Sequence, residues 1–256
     1  MADQVLFISI CSGQKKPGGI TGYNKASSIV IKLRPETQNR LLALRDIIRS
    51  RLKNLEFDGF RIDDENDNLQ KTEDFNGSPS NNAKYLPAIE RYNGRFYNSF
   101  SGLGVRNKDN QSGKDLIASK GYHLLILSAL YGIVESHEPI LFYSCPIDQK
   151  SLDIQKTWRS SNVISNAITE YIKFQSSNKN IQIKRIFDLT AMKIYRDLVN
   201  WQDIRIKTGV EIIHCYHKKF AGDKAIDPFA AFFRDYLLQY SLQELLSLKL
   251  EEEITF

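Results

Sequence analysis

Residues 181–189 read IQIKRIFDL, and the chain then turns to helical spacing at Met192, Tyr195 and Val199. A short β-rich run feeding a helical pattern is the unit from which α/β domains are built. Three further runs are of the same kind: residues 4–10 (QVLFISI), the strongly apolar Tyr122 to Leu130, and the short Val210 to Cys215. Helical patterns lie between them at 160–174 and 190–200, and another follows residue 228. This alternation predicts an α/β fold, with a largely parallel or mixed sheet flanked by helices. Residues 36–56 predict an amphipathic helix. Leu41, Leu44, Ile48, Leu52 and Leu55 fall at helical spacing, with Arg40, Arg45, Arg49 and Lys53 set among them.

A chain of 256 residues is long enough for a self-sufficient core, and a single α/β domain over 1–256 is expected. Residues 58–84 are acidic, Asn-rich and nearly devoid of aliphatics, which predicts a mobile insertion. The stretch 228–256 predicts a C-terminal helical segment. Apolar residues at 42% and charged residues at 25% exclude a fibrous or wholly disordered chain. The longest apolar run, Tyr122 to Val134, is broken by Ser128 and falls short of the ~20 residues a membrane span needs. The N-terminus lacks a basic start and a small-residue cleavage site, so no signal peptide is expected. Three widely spaced cysteines, Cys11, Cys145 and Cys215, fit a reduced cytoplasmic compartment.

The net charge is +5, unevenly spread: residues 58–84 carry −4 and the remainder +9. A basic body suits a phosphate-bearing partner. Arg40, Arg45, Arg49 and Lys53 are the candidate nucleic-acid contacts, and duplex DNA bound without sequence preference is the expected polymer.

In an open parallel sheet, ligands bind beyond the carboxyl ends of the strands. That rule selects Cys11-Ser12-Gly13-Gln14-Lys15, Ser128 to Gly132, Asp188-Leu189-Thr190 and His214-Cys215. The first loop is rich in glycine and lysine, which suits an anion. Cys11 beside Lys15 is a candidate nucleophile, or a small strand-end hydrophobe. Tyr131 offers a stacking face, or packs in the core. Asp188 serves as an acid or base, or supports a helix N-terminus with Thr190. His214-x-x-His217 lacks a matching second ligand pair, and Asp64-x-Asn66-x-Asn68 lacks the glycine and glutamate of a calcium loop. No metal or other cofactor is expected.

Several segments carry a family resemblance. Tyr92-Asn93-Gly94-Arg95-Phe96-Tyr97 resembles the Tyr-Asn-Gly-x-x-Tyr segment of the YaaA peroxide-stress family. Leu125 to Val134 (LILSALYGIV) is similar to its I-L-S-G-L-Y-G-L-L signature. Pro139 to Tyr143, Trp158 and Phe187 to Tyr195 resemble three further segments in the same order. The family start I-S-P-A-K is replaced by Ile8 to Lys15, ISICSGQK. That Cys-x-x-x-Lys start resembles small domains attached to deazaguanine-modifying enzymes. The resemblance implies a cytoplasmic α/β protein associated with DNA and with limiting oxidative damage by iron and peroxide.

Two readings follow. In the first, the chain is a nucleic-acid-associated stress-response protein with a phosphate or nucleobase pocket at the strand ends. Ser12, Gly13, Lys15, Asn93, Gly94, Tyr97, Ser128, Tyr131, Gly132 and Thr190 are its candidate binding residues. In the second, it is an enzyme acting on a nucleobase or nucleotide, with Cys11 or Asp188 performing the chemistry. Ser12, Asn93, Ser128, Tyr131 and Asp188 are expected to line one concavity.

Overall fold

The computed structural model describes residues 1–21, 23, 25–53, 84–101, 117, 119–248 and 253–256. The chain starts with β1 (Ala2–Ile10), the short β2 (Ile20–Thr21) and the long helix α1 (Pro35–Lys53). Then come β3 (Lys84–Pro87), α2 (Ala88–Arg91) and α3 (Arg95–Ser101). β4 (His123–Ser128) and β5 (Gly132–Glu135) form a hairpin, followed by β6 (Pro139–Ile140). Next are α4 (Ile154–Arg159), α5 (Val163–Lys179), β7 (Ile181–Asp188), α6 (Lys193–Arg196), α7 (Trp201–Thr208) and β8 (Glu211–Tyr216). The chain ends with α8 (Ile226–Phe232), a π-helical turn (Phe233–Leu237), α9 (Leu242–Ser247) and β9 (Glu253–Thr255).

Six strands form one mixed sheet in the order β5-β4-β1-β7-β8-β9, parallel except for β4 with β5. A small antiparallel sheet, β2-β3-β6, lies beside it. Residues 5–10 of β1 are all buried, as expected of a central strand covered on both faces. Register identifies the two covers. Phe7 pairs with Leu124 and Phe187 and meets Phe233 edge-on at 5.1 Å, so the C-terminal helices cover that face. Leu6 pairs with His123, whose Nδ1 lies 2.8 Å from the Tyr171 hydroxyl, so α5 covers the other. The chain leaves β1 for β4 on one side and later reaches β7 on the other. The switch point therefore sits at the carboxyl end of β1, where a ligand crevice opens in such sheets.

Three elements differ from expectation. The apolar run 122–134 is two strands, because Gly132 takes φ +70° and reverses the chain. A Cβ there would lie 2.8 Å from the Trp158 ring. The C-terminal stretch ends in a strand, β9, that pairs parallel with β8 despite Glu253. The helix expected over 36–56 runs Pro35–Lys53; residues 54–56, and the insertion expected over 58–84 apart from Lys84, lie outside the described residues. Among the described residues, no helix is long and apolar enough to cross a membrane.

The basic face expected on α1 is corrected by burial. Arg45 is fully buried and donates to the carbonyls of Tyr131 and Ile133, both at 2.8 Å. Its guanidinium also lies 3.6 Å from buried Glu138. Glu138 accepts from the Ser28 hydroxyl (3.0 Å) and the Ile29 amide (2.9 Å). Arg49 pairs with Asp46 at 3.3 Å. Arg51 donates to the Leu152 carbonyl and the Thr157 hydroxyl. Arg40 is exposed, and Lys53 ends the helix.

Arg45→Ala strands Glu138 without its buried cation and takes one donor from each of the Tyr131 and Ile133 carbonyls. It is expected to lose about 3–5 kcal/mol of stability. Arg40→Ala is expected to stay within about 0.5 kcal/mol. Paired urea melts check the contrast; equal midpoints for the two variants contradict it. A second expectation concerns pH. Burial, and then the Lys32 charge, lower the His123 pKa from 6.5 to about 4. The unfolded imidazole binds a proton that the folded one refuses, so stability falls as pH drops from 6.5 towards 4. Glu135 acts oppositely. Burial raises it from 4.5 to about 7, so its contribution is lost as pH rises through that window. His123→Gln is therefore expected to shrink the acid-side loss by up to about 3 kcal/mol. Urea midpoints from pH 4 to 7 test this, and parallel curves for the two proteins contradict it.

Candidate functional site

A pocket of about 520 Å³ opens at the switch point, lined by Ile10 to Lys15 after β1 and by Gly94 to Tyr97 at the start of α3. Ser144 to Ile147, Met192, Tyr195, Asp223 and Ile226 complete the wall. Of the sequence candidates, Cys11, Ser12, Gly13, Lys15, Gly94 and Tyr97 line it.

The loop after β1 is fixed from both sides. The Cys11 amide donates to Leu127, extending the pairing of β1 with β4. The Asn93 amide donates to the Gln14 carbonyl (3.0 Å), and the Lys16 amide to the Arg91 carbonyl (2.7 Å). Ser12 Oγ turns inward and accepts from the Gln14 amide at 3.1 Å. Gly94 makes room for Ser12 as oriented here, because a Cβ there would lie 2.0 Å from Ser12 Oγ and force that side chain to move. The two segments that sequence reading separated by some eighty residues are thus one clamp.

Cations and acids share the pocket rim. Lys15 is half-buried, with Nζ 4.2 Å from the centre of the Tyr143 ring. Burial lowers its pKa, while the Cys11 and Cys145 sulfurs oppose that shift. Arg95 is already occupied by Asp223 (2.6 Å) and Asp227 (3.0 Å). Cys11 Sγ lies 3.0 Å from the Tyr195 hydroxyl. Burial holds the Tyr195 phenol well above its ordinary pKa, so it stays protonated at neutral pH.

The remaining candidates do not line the pocket. Ser128 is buried beneath it, with its hydroxyl 2.8 Å from Tyr143 Oη, which lies 2.8 Å from Tyr92 Oη. Tyr131 is buried, and its hydroxyl accepts from the Leu141 amide at 3.1 Å. No face is left for stacking on a base. Gly132 packs under Trp158, and Asn93 points to solvent. Asp188 is wholly buried at the end of β7. One carboxylate oxygen accepts from the Thr190 amide (2.9 Å) and hydroxyl. The other lies 2.8 Å from Arg196 Nε and 2.7 Å from His214 Nδ1. Asp188 and Thr190 therefore form a structural knot tying β7 to β8, with no oxygen turned to a ligand.

Sequence reading missed Cys145, Met192, Tyr195 and Asp223. Met192 and Tyr195 carried a signal, as members of a recognised segment at helical spacing. His214 and His217 do not converge: His217 Nδ1 accepts from the amides of Lys219 and Phe220. Among the described residues, no group of three histidines, cysteines or carboxylates could hold a metal.

No curated protein matches the chain. The family profile described as Peroxide stress protein YaaA matches residues 24–251, which span most of its length. Within that range the Ser128–Gly132 turn, Tyr92, Tyr143 and Trp158 are buried, while Gly94 to Tyr97, Met192 and Tyr195 line the pocket. The chain belongs to the YaaA peroxide stress protein family.

Proposed function

We propose that this stress-response protein binds a small nucleobase-bearing ligand with one phosphate at the end of β1. The observation that carries this reading is the clamped loop Ser12–Lys15 facing a pocket of about 520 Å³ at the switch point. Pockets of this size and position bind small molecules. With Arg95 neutralised by two aspartates, Lys15 is the cation left for the anion. A single phosphate suits that balance better than a triphosphate. Phe96, Met192 and Ile226 supply the apolar wall for a base.

Calorimetric titration with AMP, GMP and inorganic phosphate is the test. A nucleoside monophosphate is expected to bind more tightly than phosphate alone. Lys15→Ala is expected to weaken it about tenfold or more, since a charge-assisted hydrogen bond contributes about 1.5–3 kcal/mol. Gly94→Ala, which displaces Ser12 Oγ, is expected to weaken it in a folded protein. Absence of heat with every monophosphate at millimolar concentration rejects the reading.

A second reading, association with nucleic acid, is favoured by a different surface from the α1 arginines. Rings line up along the C-terminal side: Phe220 on His217 (5.0 Å), Phe256 on Phe232 (4.1 Å) and Phe232 on Tyr236 (5.1 Å). Phe220 and Tyr236 are exposed, as are Lys218 and Lys219. Aromatic faces beside cations suit stacked bases of a single strand more than a paired duplex. Fluorescence anisotropy is expected to rank single-stranded above duplex DNA. Phe220→Ala is expected to cost about 1–3 kcal/mol of single-strand affinity. Duplex preference with no effect of Phe220→Ala removes this surface from consideration.

A further inference from the structure

Two of the three cysteines open into the same cavity, from separate parts of the chain. Cys11 follows β1, Cys145 lies in the segment Ser144 to Ile147 of the same pocket wall, and the two sulfurs are close enough to interact electrostatically. All three cysteines are free thiols in the structure. Their surroundings differ. Cys11 is half-buried and touches the Tyr195 hydroxyl at 3.0 Å, a contact that can donate a hydrogen bond to a thiolate. Cys145 is buried, and desolvation holds its thiol protonated at neutral pH. Lys15 stands within electrostatic reach of both sulfurs. Cys215 is buried within β8 beside Asp188, remote from the cavity lining.

We propose that Cys11 and Cys145 are a peroxide-oxidised thiol pair, in which Cys11 takes the oxygen and Cys145 closes the disulfide. Cys11 loses its thiol proton to solvent. The thiolate forms a bond to one oxygen of hydrogen peroxide as the O–O bond breaks. The second oxygen leaves as hydroxide and becomes water on taking a proton. Cys11 is now a sulfenic acid, oxidised by two electrons, and the peroxide has been reduced by two. The Cys145 sulfur then attacks the Cys11 sulfur. The S–S bond forms, the S–O bond breaks, and the hydroxide departs as water with the proton from Cys145. In sum, two thiols and one peroxide give one disulfide and two waters. The bond ties the loop after β1 to the Ser144–Ile147 segment of the pocket lining. The division of roles follows exposure: peroxide reaches the half-exposed sulfur first, and the buried thiol meets the sulfenic acid from within.

This inference does not rest on the nucleotide reading, and its test uses no nucleotide. The full chain is treated with one equivalent of hydrogen peroxide at neutral pH, alkylated, and mapped by non-reducing peptide mass spectrometry. The wild-type protein is expected to lose two hydrogens and yield a Cys11–Cys145 crosslinked peptide. Cys145→Ser is expected to gain one oxygen at Cys11 that dimedone traps. Cys11→Ser is expected to remain unoxidised. The wild-type crosslink needs no variant to fold, so the central outcome stands alone. Cys11 left reduced, a lasting oxygen adduct in the wild type without the crosslink, or a disulfide through Cys215 or between chains overturns the proposal.

Discussion

The guanidinium of Arg45 is the contact on which the rest of the architecture leans. A buried cation is costly to desolvate unless every donor finds an acceptor. Here the acceptors come from different parts of the chain. The Tyr131 and Ile133 carbonyls belong to the β4–β5 turn, and Glu138 lies just beyond β5. Glu138 in turn holds the Ser28 hydroxyl and Ile29 amide, while its own carbonyl accepts from the Ala88 amide. One charge thereby sets the position of α1, the hairpin, the 28–30 segment and the start of α2. Trp158 braces the same turn by donating to the Ala129 carbonyl at 2.9 Å.

From that turn a layer of hydroxyls carries position outward to the pocket. Ser128 meets Tyr143, and Tyr143 meets Tyr92, all fully buried. Lys15 sits over the Tyr143 ring, and Tyr97 donates to the Ile10 carbonyl at 2.7 Å. Burial keeps the phenols of Tyr92, Tyr97 and Tyr143 protonated. They therefore act as fixed dipoles rather than titrating groups. The segments that carry the family likeness thus divide: Ser128, Tyr92 and Tyr143 form a buried support, while Gly94 to Tyr97, Met192 and Tyr195 line the cavity itself.

Much of the fold was legible because burial on both faces leaves a continuous apolar run. β1 and β4 show one, β7 and β8 are shorter β-rich runs, and the helix α1 shows its stripe. The site was legible only where backbone chemistry is local, as in the Cys11–Lys15 loop. Arg45 was misread because charge on an amphipathic helix is exposed by default. Yet its spacing held the answer: Leu41, Arg45, Ile48 and Leu52 share one stripe, and all four are buried. Asp188 kept two readings open for the converse reason. A carboxylate at a strand end looks available until its partners are known, and those partners, Arg196 and His214, lie 8 and 26 residues further along the chain. β9 and Cys145 gave no periodic signal, since each depends on pairing or packing with distant segments.

The two acidic clusters near the sheet ends settle which groups can act on a ligand. The Asp188 carboxylate is saturated by an amide, a hydroxyl, a guanidinium and an imidazole. Freeing an oxygen for a substrate proton would leave Arg196 or His214 without its partner in a dry environment, and that penalty opposes a base at this position. Asp223 and Asp227 sit at the rim and hold only Arg95, on half-exposed side chains. Exposed pairs of this kind are weak and exchange partners with small cost. The pocket is thus firm at its floor, where the buried tyrosines lie, and adaptable at its rim. The clamped loop and Lys15 form the firm side of the cavity, and the Arg95 pair its yielding side.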